Sequence, residues 1–261
     1  MIDTLDVPTK PIAGVPDLMH HKFAVRDGEA VWTGSTNWTD DSWSRQENVY
    51  AIVESEAVAA AYTQDFEQLW TTGVVAESGF VDPNPIRVDG APVRTWFCPG
   101  RGEALATRIA HRVGRARRRV RIASPVLTSA PVLGALGEAV SDGKVDVAGV
   151  LDATQMGGVY HQWRLNGNAV WKMPLIARVL TGAPFSGKRS TPYGQGDVHD
   201  FMHAKLVVAD DLVFAGSYNL SHSGEQNAEN VLEVRDPELA ERLAVYVDDV
   251  RKRYPPAPSP A

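Results

Sequence analysis

A polar pattern that occurs twice constrains the fold of this chain more than any other feature. The first copy reads MHHKFAVRDGEAVWTGSTNW and is followed by QENVYAIVE, while the second reads MHAKLVVADDLVFAGSYNL and is followed by AENVLEVRD. When the copies are aligned, each gives His-x-Lys, four residues, Asp, and later Gly-Ser-x-Asn, and a Glu-Asn pair begins ten residues after that Asn. Such a repeat predicts two structural units that fold alike.

Hydrophobic periodicity predicts how each copy is built. The segment after each motif lysine is almost continuously apolar, as in a strand covered on both faces, and a short turn leads to a second strand that ends at Gly-Ser. Because side chains alternate along a strand, the motif His and Lys are expected on one face, with His21 on the other. A third strand begins at each Glu-Asn pair, and helices are predicted over residues 55–69 and 237–253.

Both copies resemble, without substitution, the HKD motif of the phospholipase D superfamily, which is H-x-K-x4-D followed by G-S/G-x-N. The resemblance covers residues 20–54 and about 90–253. It implies an α/β protein made of two phospholipase D-like lobes related by a pseudo-twofold axis, each with a mixed sheet flanked by helices, that share one active site. It also implies phosphodiester cleavage through a phosphohistidine, without a metal ion or other cofactor.

The chemistry of the repeated residues supports this mechanism independently. Two lysines can hold the non-bridging oxygens of a phosphodiester and stabilise the extra charge of the transition state, and amide and hydroxyl donors can complete the cradle. Two histidines can divide the roles of nucleophile and general acid. The candidate phosphate-binding residues are Lys22, Lys205, Asn37, Asn219, Ser35 and Ser217.

The roles of the two histidines follow from the resemblance, which implies that His20 is the nucleophile and His203 the general acid. The symmetry of the motifs leaves the reverse assignment open. Each imidazole needs a partner on its other ring nitrogen, and the resemblance offers the carboxylates of Glu47 and Glu229. The aspartates that close the motifs are expected to be structural hydrogen-bond or ion-pair anchors: Asp27 and Asp210.

The rest of the chain is predicted to organise around the two copies. The expected divisions are lobe one at 1–77, a Gly- and Pro-rich linker at 78–95, lobe two at 96–254 and a disordered, Pro-rich tail at 255–261. Strands and helices alternate through lobe two before its motif, which predicts parallel strands.

A long insertion, residues 153–200, precedes the second motif and is expected to shape the ligand pocket. Its aromatic residues could stack on a head group or a base, or could pack the insertion itself: Tyr160, Trp163, Trp171 and Tyr193. Of the remaining histidines, His199 and His222 could line the site, although ordinary polar surface is the favoured reading.

Lobe one is much shorter before its motif than lobe two. In lobe two 107 residues separate Trp96 from His203, whereas only 19 residues precede His20. The opening residues MIDTLD resemble the end of the predicted strand VDVAGVLDAT, so we hypothesise that lobe one is truncated at its N-terminal side. The exposed strand edge would then favour aggregation or a partner, and either a homodimer or a preceding segment is expected to complete the lobe.

Composition excludes several classes of protein. With 44% hydrophobic and 22% charged residues the chain is globular, and its single cysteine, Cys98, excludes an intramolecular disulfide. A formal net charge of -6 argues against bulk coating of nucleic acid. The sequence as written predicts no signal peptide and no transmembrane segment, which favours a cytoplasmic location. A lost N-terminal segment could have carried a signal peptide, so secretion stays open and the location is undetermined.

Two substrate classes remain. One is a phospholipid, whose head group would be hydrolysed or transferred to an alcohol. The other is nucleic acid, because the wording of the motifs resembles the nuclease-like and mitochondrial branch of the superfamily. In addition, residues 101–121 hold eight arginines against one glutamate. A solvated helix face is the alternative explanation of that basic stretch. A third, non-enzymatic hypothesis treats the protein as an inactive remnant that only binds phosphate groups.

Overall fold

The structure is a computed structural model that describes residues 6–194 and 196–260. Within these residues the strands form a three-stranded and an eight-stranded sheet. The small sheet belongs to lobe one and is antiparallel, in the order β1-β2-β3: β1 is Phe23–Arg26, β2 is Ala30–Gly34 and β3 is Tyr50–Glu54. Helix α1, Asp40–Ser44, connects β2 to β3, and helix α2, Glu56–Thr72, follows β3.

The large sheet belongs to lobe two and has the order β4-β5-β11-β10-β9-β6-β7-β8. Its strands are β4 Ile86–Val88, β5 Ala91–Cys98, β6 Arg119–Ser124, β7 Asp146–Asp152, β8 Phe185–Lys188, β9 Leu206–Ala209, β10 Leu212–Gly216 and β11 Glu229–Arg235. Strands β6, β7 and β8 are parallel neighbours, and the other pairs are antiparallel. The expected mixed sheet is therefore confirmed.

Helices cover both faces of the large sheet. They are α3 Gly102–Gly114, α4 Ala130–Asp142, α5 Ala153–Asn166, α6 Met173–Gly182, α7 His222–Gln226 and α8 Pro237–Arg251. The main hydrophobic core lies between one face and α3 to α6, whose apolar residues recur at helical spacing. A second core lies between the other face and α8, where Ala240, Ala244, Val247 and Val250 form the buried stripe.

Both helices predicted after the third strands are present as α2 and α8. Helix α2 begins after Ser55, whose hydroxyl accepts a hydrogen bond from the Val58 amide, and ends at Gly73, whose φ of 72° lies in the left-handed region. Helix α8 begins after Asp236, whose carboxylate accepts two backbone N–H groups. In each copy the first motif strand ends in the same kind of tight turn, since Asp27 and Asp210 both have a φ of 53°.

The structure differs from the predicted divisions in the linker. Residues 78–95 carry β4 and the first part of β5, which pair with each other and then with β11. The segment is thus an edge of the lobe-two sheet, because the alternating apolar residues of β5 are buried there. The predicted insertion, 153–200, likewise contains regular elements, and its strand β8 extends the sheet by pairing with β7.

The tail also differs from the expectation of disorder at 255–261. The Ala257 amide donates to the Phe185 carbonyl at 2.9 Å, and Gly187 donates to the Pro255 carbonyl at 2.8 Å. Strand β8 is an edge strand, so its free backbone groups are available to the tail, and prolines are tolerated at such an edge. The comparison of MIDTLD with a strand of lobe two falls largely outside the described residues and stays a prediction. None of the helices in the described part of the chain combines the length and apolarity needed to cross a membrane.

Candidate active site

Each motif copy is held in place by the other copy. The Met19 segment before the first motif histidine pairs in parallel with Ala228, and the Glu47 segment pairs in the same way with Met202. The His20 amide donates to the Ala228 carbonyl at 3.0 Å, and the His203 amide donates to the Glu47 carbonyl at 3.0 Å. These crossed bridges bring the two motifs together at one interface between the lobes.

Both motif lysines are buried beside their own histidines. The Lys22 ammonium donates to the His20 carbonyl at 2.8 Å, and the Lys205 ammonium donates to the His203 carbonyl at 2.7 Å. Burial lowers the pKa of Lys22 to about 8, and Glu229 opposes this change. Burial, together with repulsion from Lys22, holds the pKa of Lys205 well below its ordinary value. Two cations so close together and so poorly hydrated form a site that an anion would stabilise.

His20 is paired with a carboxylate from the opposite lobe. Its Nδ1 lies 2.8 Å from both carboxylate oxygens of Glu229, which is completely buried at the start of β11. The Ser217 hydroxyl donates to the same carboxylate at 2.5 Å. Burial lowers the pKa of His20, Glu229 raises it, and the positive charges of Lys22 and Lys205 lower it further.

His203 is paired with an amide, again from the opposite lobe. Its Nδ1 lies 3.1 Å from Oδ1 of Asn48, which also accepts a hydrogen bond of 2.7 Å from the Ser35 hydroxyl. Burial holds the pKa of His203 well below its ordinary value, and the charges of Lys205, Lys22 and His20 act in the same direction. The two motif histidines therefore share one electrostatic environment but have chemically different partners.

The register of the sheets explains why Asn48 stands in this position. Gly34 pairs with Tyr50 in lobe one, and the equivalent Gly216 pairs with Val231 in lobe two. Counting back two residues from each partner gives Asn48 and Glu229. Lobe one thus has one residue more than lobe two between its Gly-Ser-x-Asn motif and its third strand. The equal spacing from Asn to Glu in the sequence hides this shift.

The expected role of Glu47 as a histidine partner is therefore wrong. Its carboxylate faces away from both motif histidines, toward Lys188 at 2.7 Å and the Tyr254 hydroxyl. These three side chains join lobe one to strand β8 and to the chain after α8. Sequence reasoning missed Asn48, because no spacing rule separates the second residue of the Glu-Asn pair from the first.

The motif serines do not fit their predicted contact with phosphate. Ser35 and Ser217 are completely buried, and their hydroxyl protons are donated to Asn48 and Glu229. Because a hydroxyl has one proton to donate, neither serine has one left for a phosphate oxygen. They hold the partners of the two histidines instead. The side-chain amides of Asn37 and Asn219 accept and donate no hydrogen bond within residues 6–194 and 196–260, and Oδ1 of Asn219 is buried without a partner.

The motif aspartates lie at the far end of the motif hairpins from the histidines. The Asp210 carboxylate accepts backbone N–H groups of Arg117, Arg118 and Arg119 at 2.8 to 3.1 Å, which is the geometry of a structural anchor. Asp27 is exposed in the equivalent turn. His21 points to the other side, as predicted, and its Nε2 lies 2.9 Å from the buried Asp65 carboxylate.

One further carboxylate that sequence reasoning missed supports the second motif. Asp152 is completely buried and accepts hydrogen bonds from the Met202 amide at 3.0 Å and from the Ser190 hydroxyl at 2.8 Å. Its position at the end of β7, directly before α5, is a common one for a capping Asp and was the available signal. Through Met202 it fixes the backbone that carries His203.

The aromatic residues of the segment 153–200 divide into two groups. Tyr160 and Trp163 are buried in the main core, so they pack the fold. Trp171 and Tyr193 are exposed. The Tyr193 ring stacks on His199, His199 stacks on Phe201, and the Phe201 ring lies 6.4 Å from that of His203. His222 is on the surface, where it faces Glu225.

Comparison with known proteins adds a family likeness to this geometry. A family model described as "Cardiolipin synthase, PLD-like domain" matches residues 5–70 and 109–251. Among curated proteins, the chain is 46% identical over 52 residues to a mitochondrial cardiolipin hydrolase of Xenopus tropicalis, which is 20% of this chain and 25% of that protein. It is 34% identical over 55 residues to the human mitochondrial cardiolipin hydrolase, or 21% of this chain and 22% of the relative. The chain thus spans about a quarter of the length of the curated relatives it matches.

Among solved structures, phosphatidylserine synthase of Haemophilus influenzae Rd KW20 is similar with a TM-score of 0.63 and 13% sequence identity. The alignment covers 96% of this chain and 67% of that one. At this level of identity the likeness concerns the fold.

Proposed function

Because the chain belongs to the phospholipase D superfamily, through the family described as cardiolipin synthase, PLD-like domain, we propose that it is a phosphodiesterase that works without a metal ion and through a phosphohistidine intermediate. The observation that carries the proposal is the meeting of the two His-x-Lys pairs at one interface, where both lysines are buried and the imidazoles have different partners. The fold alone would not support it, since many functions share one fold.

The proposed reaction has two halves, and both motif histidines act in each half. Nε2 of His20 attacks phosphorus, the bond from phosphorus to the leaving oxygen breaks, and that oxygen takes a proton from Nε2 of His203. In the second half, His203 takes a proton from water or an alcohol, whose oxygen attacks phosphorus and releases His20. The atoms balance, because the proton that left with the first product is replaced by one from the acceptor.

The lysines and asparagines would hold the phosphate during both steps. Lys22 and Lys205 offer positive charge to the non-bridging oxygens, and the free amide groups of Asn37 and Asn219 offer N–H donors. A bound phosphodiester adds a negative charge to a site that holds two lysines and one carboxylate, Glu229. It would therefore raise the pKa of both lysines and of His203, so that the imidazole can be protonated when the leaving group departs.

A phospholipid is the substrate that we favour. The curated relatives are cardiolipin hydrolases by name, and the matching family is described as cardiolipin synthase. Both names refer to lipids in which a phosphodiester joins two alcohols, and the proposed chemistry needs only that group. Whether water or an alcohol accepts the phosphatidyl group depends on which of them reaches phosphorus in the second half.

A nuclease is the alternative, and the stack of Tyr193, His199 and Phe201 beside His203 favours it, because a base can add to such a stack. The basic stretch gives it less support than the sequence suggested. Five of its eight arginines pair with acidic side chains: Arg101, Arg108, Arg118, Arg119 and Arg121.

The other three arginines of the stretch lie away from the histidines. With Arg235 they line a cavity of about 570 Å³ at the turn between β9 and β10: Arg112, Arg115 and Arg117. Lys205 and Ser217 lie at the opposite ends of those two strands. A nucleic acid phosphate in the histidine site would therefore not contact these arginines directly.

The test is to offer the purified protein cardiolipin vesicles, phosphatidylcholine vesicles and single-stranded DNA in separate reactions that all contain EDTA. We expect phosphatidic acid or phosphatidylglycerol from the lipids, no shortening of the DNA, and no activity in His20→Asn. Shortening of DNA without lipid cleavage would establish the nuclease alternative. A requirement for a divalent cation would contradict the phosphohistidine mechanism.

A further inference from the structure

The two motif histidines occupy equivalent positions but do not have equivalent partners. In both copies a motif serine donates its hydroxyl proton to a side chain two residues before the third-strand partner of the motif glycine. That side chain in turn contacts the histidine of the other copy. That side chain is the carboxylate Glu229 for His20 and the amide Asn48 for His203. The geometry is repeated, whereas the charge is not.

The hydrogen bonds of Asn48 fix the orientation of its amide. Nδ2 donates to the Ser42 carbonyl in helix α1 at 2.9 Å and lies 3.1 Å from the Ser42 hydroxyl. A carbonyl oxygen accepts only, so Nδ2 must be the atom that faces it. Oδ1 consequently faces His203 and accepts from its Nδ1–H, which leaves the lone pair of the neutral ring on Nε2.

A carboxylate and an amide act differently on an imidazole. When a ring nitrogen attacks phosphorus, the ring gains positive charge, and a buried carboxylate 2.8 Å from the other nitrogen stabilises that charge strongly. An amide oxygen holds the ring in place without adding negative charge. A protonated ring beside an amide therefore gives up its proton more readily than one beside a carboxylate.

We infer that Asn48 is the positioning residue of His203, and that the amide in place of a carboxylate sets the direction of the reaction, so that His20 attacks and His203 donates. This inference rests on the proposed function and deepens it. In the sequence the two motifs are symmetric, so the roles of nucleophile and general acid were interchangeable. The different partners of the two histidines give a physical reason for one assignment.

The test compares two lipids that differ in their leaving group. Phosphatidylcholine releases an alcohol, which needs a proton, whereas phosphatidyl-4-nitrophenol releases a phenolate that departs without one. Loss of the general acid should therefore slow the cleavage of phosphatidylcholine much more than the cleavage of phosphatidyl-4-nitrophenol. The variants are Asn48→Leu, which removes the hydrogen bonds at similar size, its mirror Glu229→Gln, and Glu47→Gln as the matched control from the adjacent position.

The rates compared are those of the first half-reaction, measured in a single turnover, because His203 also activates the acceptor in the second half. We expect Asn48→Leu to lower the rate of choline release from phosphatidylcholine at least about tenfold, while the rate of nitrophenolate release changes by less than about twofold, since general acids typically contribute ~10²–10⁴-fold. Glu229→Gln should slow both substrates by the same factor, because it acts on the nucleophile. Glu47→Gln should lower the melting temperature, since Lys188 loses its partner, and leave the ratio of the two rates unchanged.

A second measurement does not depend on activity. In Asn48→Asp a charged acceptor replaces a neutral one, so the pKa of His203 followed by NMR should rise by at least about one unit while that of His20 stays in place. This also covers the case in which Asn48→Leu fails to fold.

Three results would overturn the inference. The first is that Asn48→Leu slows the cleavage of both lipids equally, and the second is that Glu229→Gln changes the ratio of the two rates whereas Asn48→Leu does not. The third is that the pKa of His203 does not change in Asn48→Asp. Failure of the proposed function is a different result. It would be a wild-type protein that cleaves neither lipid, and the NMR titration would then decide whether Asn48 controls His203.

Discussion

Each lobe contains three equivalent motif strands, β1 to β3 in lobe one and β9 to β11 in lobe two, but the surfaces around those strands differ. In lobe two, Phe214, Leu220 and Val231 are buried in the main core under helices α3 to α6. The register of the sheets and the motif spacing match these residues with Trp32, Trp38 and Tyr50 in lobe one. There the Trp32 ring stacks on Tyr50 and packs at a tilt against Trp38, and Trp38 and Tyr50 are more than half exposed.

The comparison shows that the motif hairpin of lobe one forms without the helical cover that lobe two has on this face. Lobe one has α2 on one face of its sheet, and the motif hairpin is additionally held by the crossed bridges to Ala228 and Met202. Its first motif therefore depends on lobe two for its position.

The largest effect that tests the comparison concerns the lysines. Lys22→Met and Lys205→Met should each lower kcat/KM by about 10²–10³-fold, because both lysines would stabilise charge on the same phosphate. Lys144→Met is the matched control, since that lysine is exposed and pairs with Asp142. A large loss in one lysine variant and none in the other would show that the lobes do not share the site equally.

The next effect concerns stability. Leu220→Ala should cost about 2–5 kcal/mol of the free energy of unfolding, because it opens a cavity in the core, whereas Trp38→Ala should cost less than about 1 kcal/mol. Leu220 is 2% exposed and Trp38 is 62% exposed. Urea denaturation measures both values. An equal cost for Trp38→Ala, with a change in sedimentation, would mean that a second copy covers this face.

The smallest effect concerns pH. Lys22 is protonated below its pKa of about 8 and neutral above it, so the affinity for dimethyl phosphate, whose charge is constant here, should fall as the pH rises through that value. A loss of about tenfold between pH 7 and pH 9 is expected for one charged hydrogen bond. Titration calorimetry measures it, and Lys22→Met should show a smaller change of affinity over this range, because only Lys205 remains to lose its charge. An affinity that rises with pH would contradict the assignment of Lys22.

Much of this site could be predicted from the sequence, because the motif residues recur with fixed spacing. Strand periodicity correctly separated His21 from its neighbours, and the resemblance to the phospholipase D superfamily implied that His20 and His203 would belong to one site. The α/β fold with a mixed sheet followed from the same residues.

The remaining features depend on contacts that spacing does not encode. The extra residue that places Asn48, in place of Glu47, beside His203 is visible only in the register of β2 with β3. Ser35 looked available for phosphate because its hydrogen bond to Asn48 joins two separate parts of lobe one. The tail looked disordered because prolines are common in disordered segments, whereas here they lie along the free edge of β8.

The central claim is that both lobes form one site in which a histidine carries the phosphoryl group. The most direct measurement is to mix the protein with phosphatidyl-4-nitrophenol in EDTA, quench at alkaline pH, where phosphohistidine survives, and locate the adduct by mass spectrometry. We predict an adduct on His20, its absence in His20→Asn, and its accumulation in His203→Asn, which lacks the group that activates the acceptor. Turnover without any adduct, or an adduct on His203, would contradict the account.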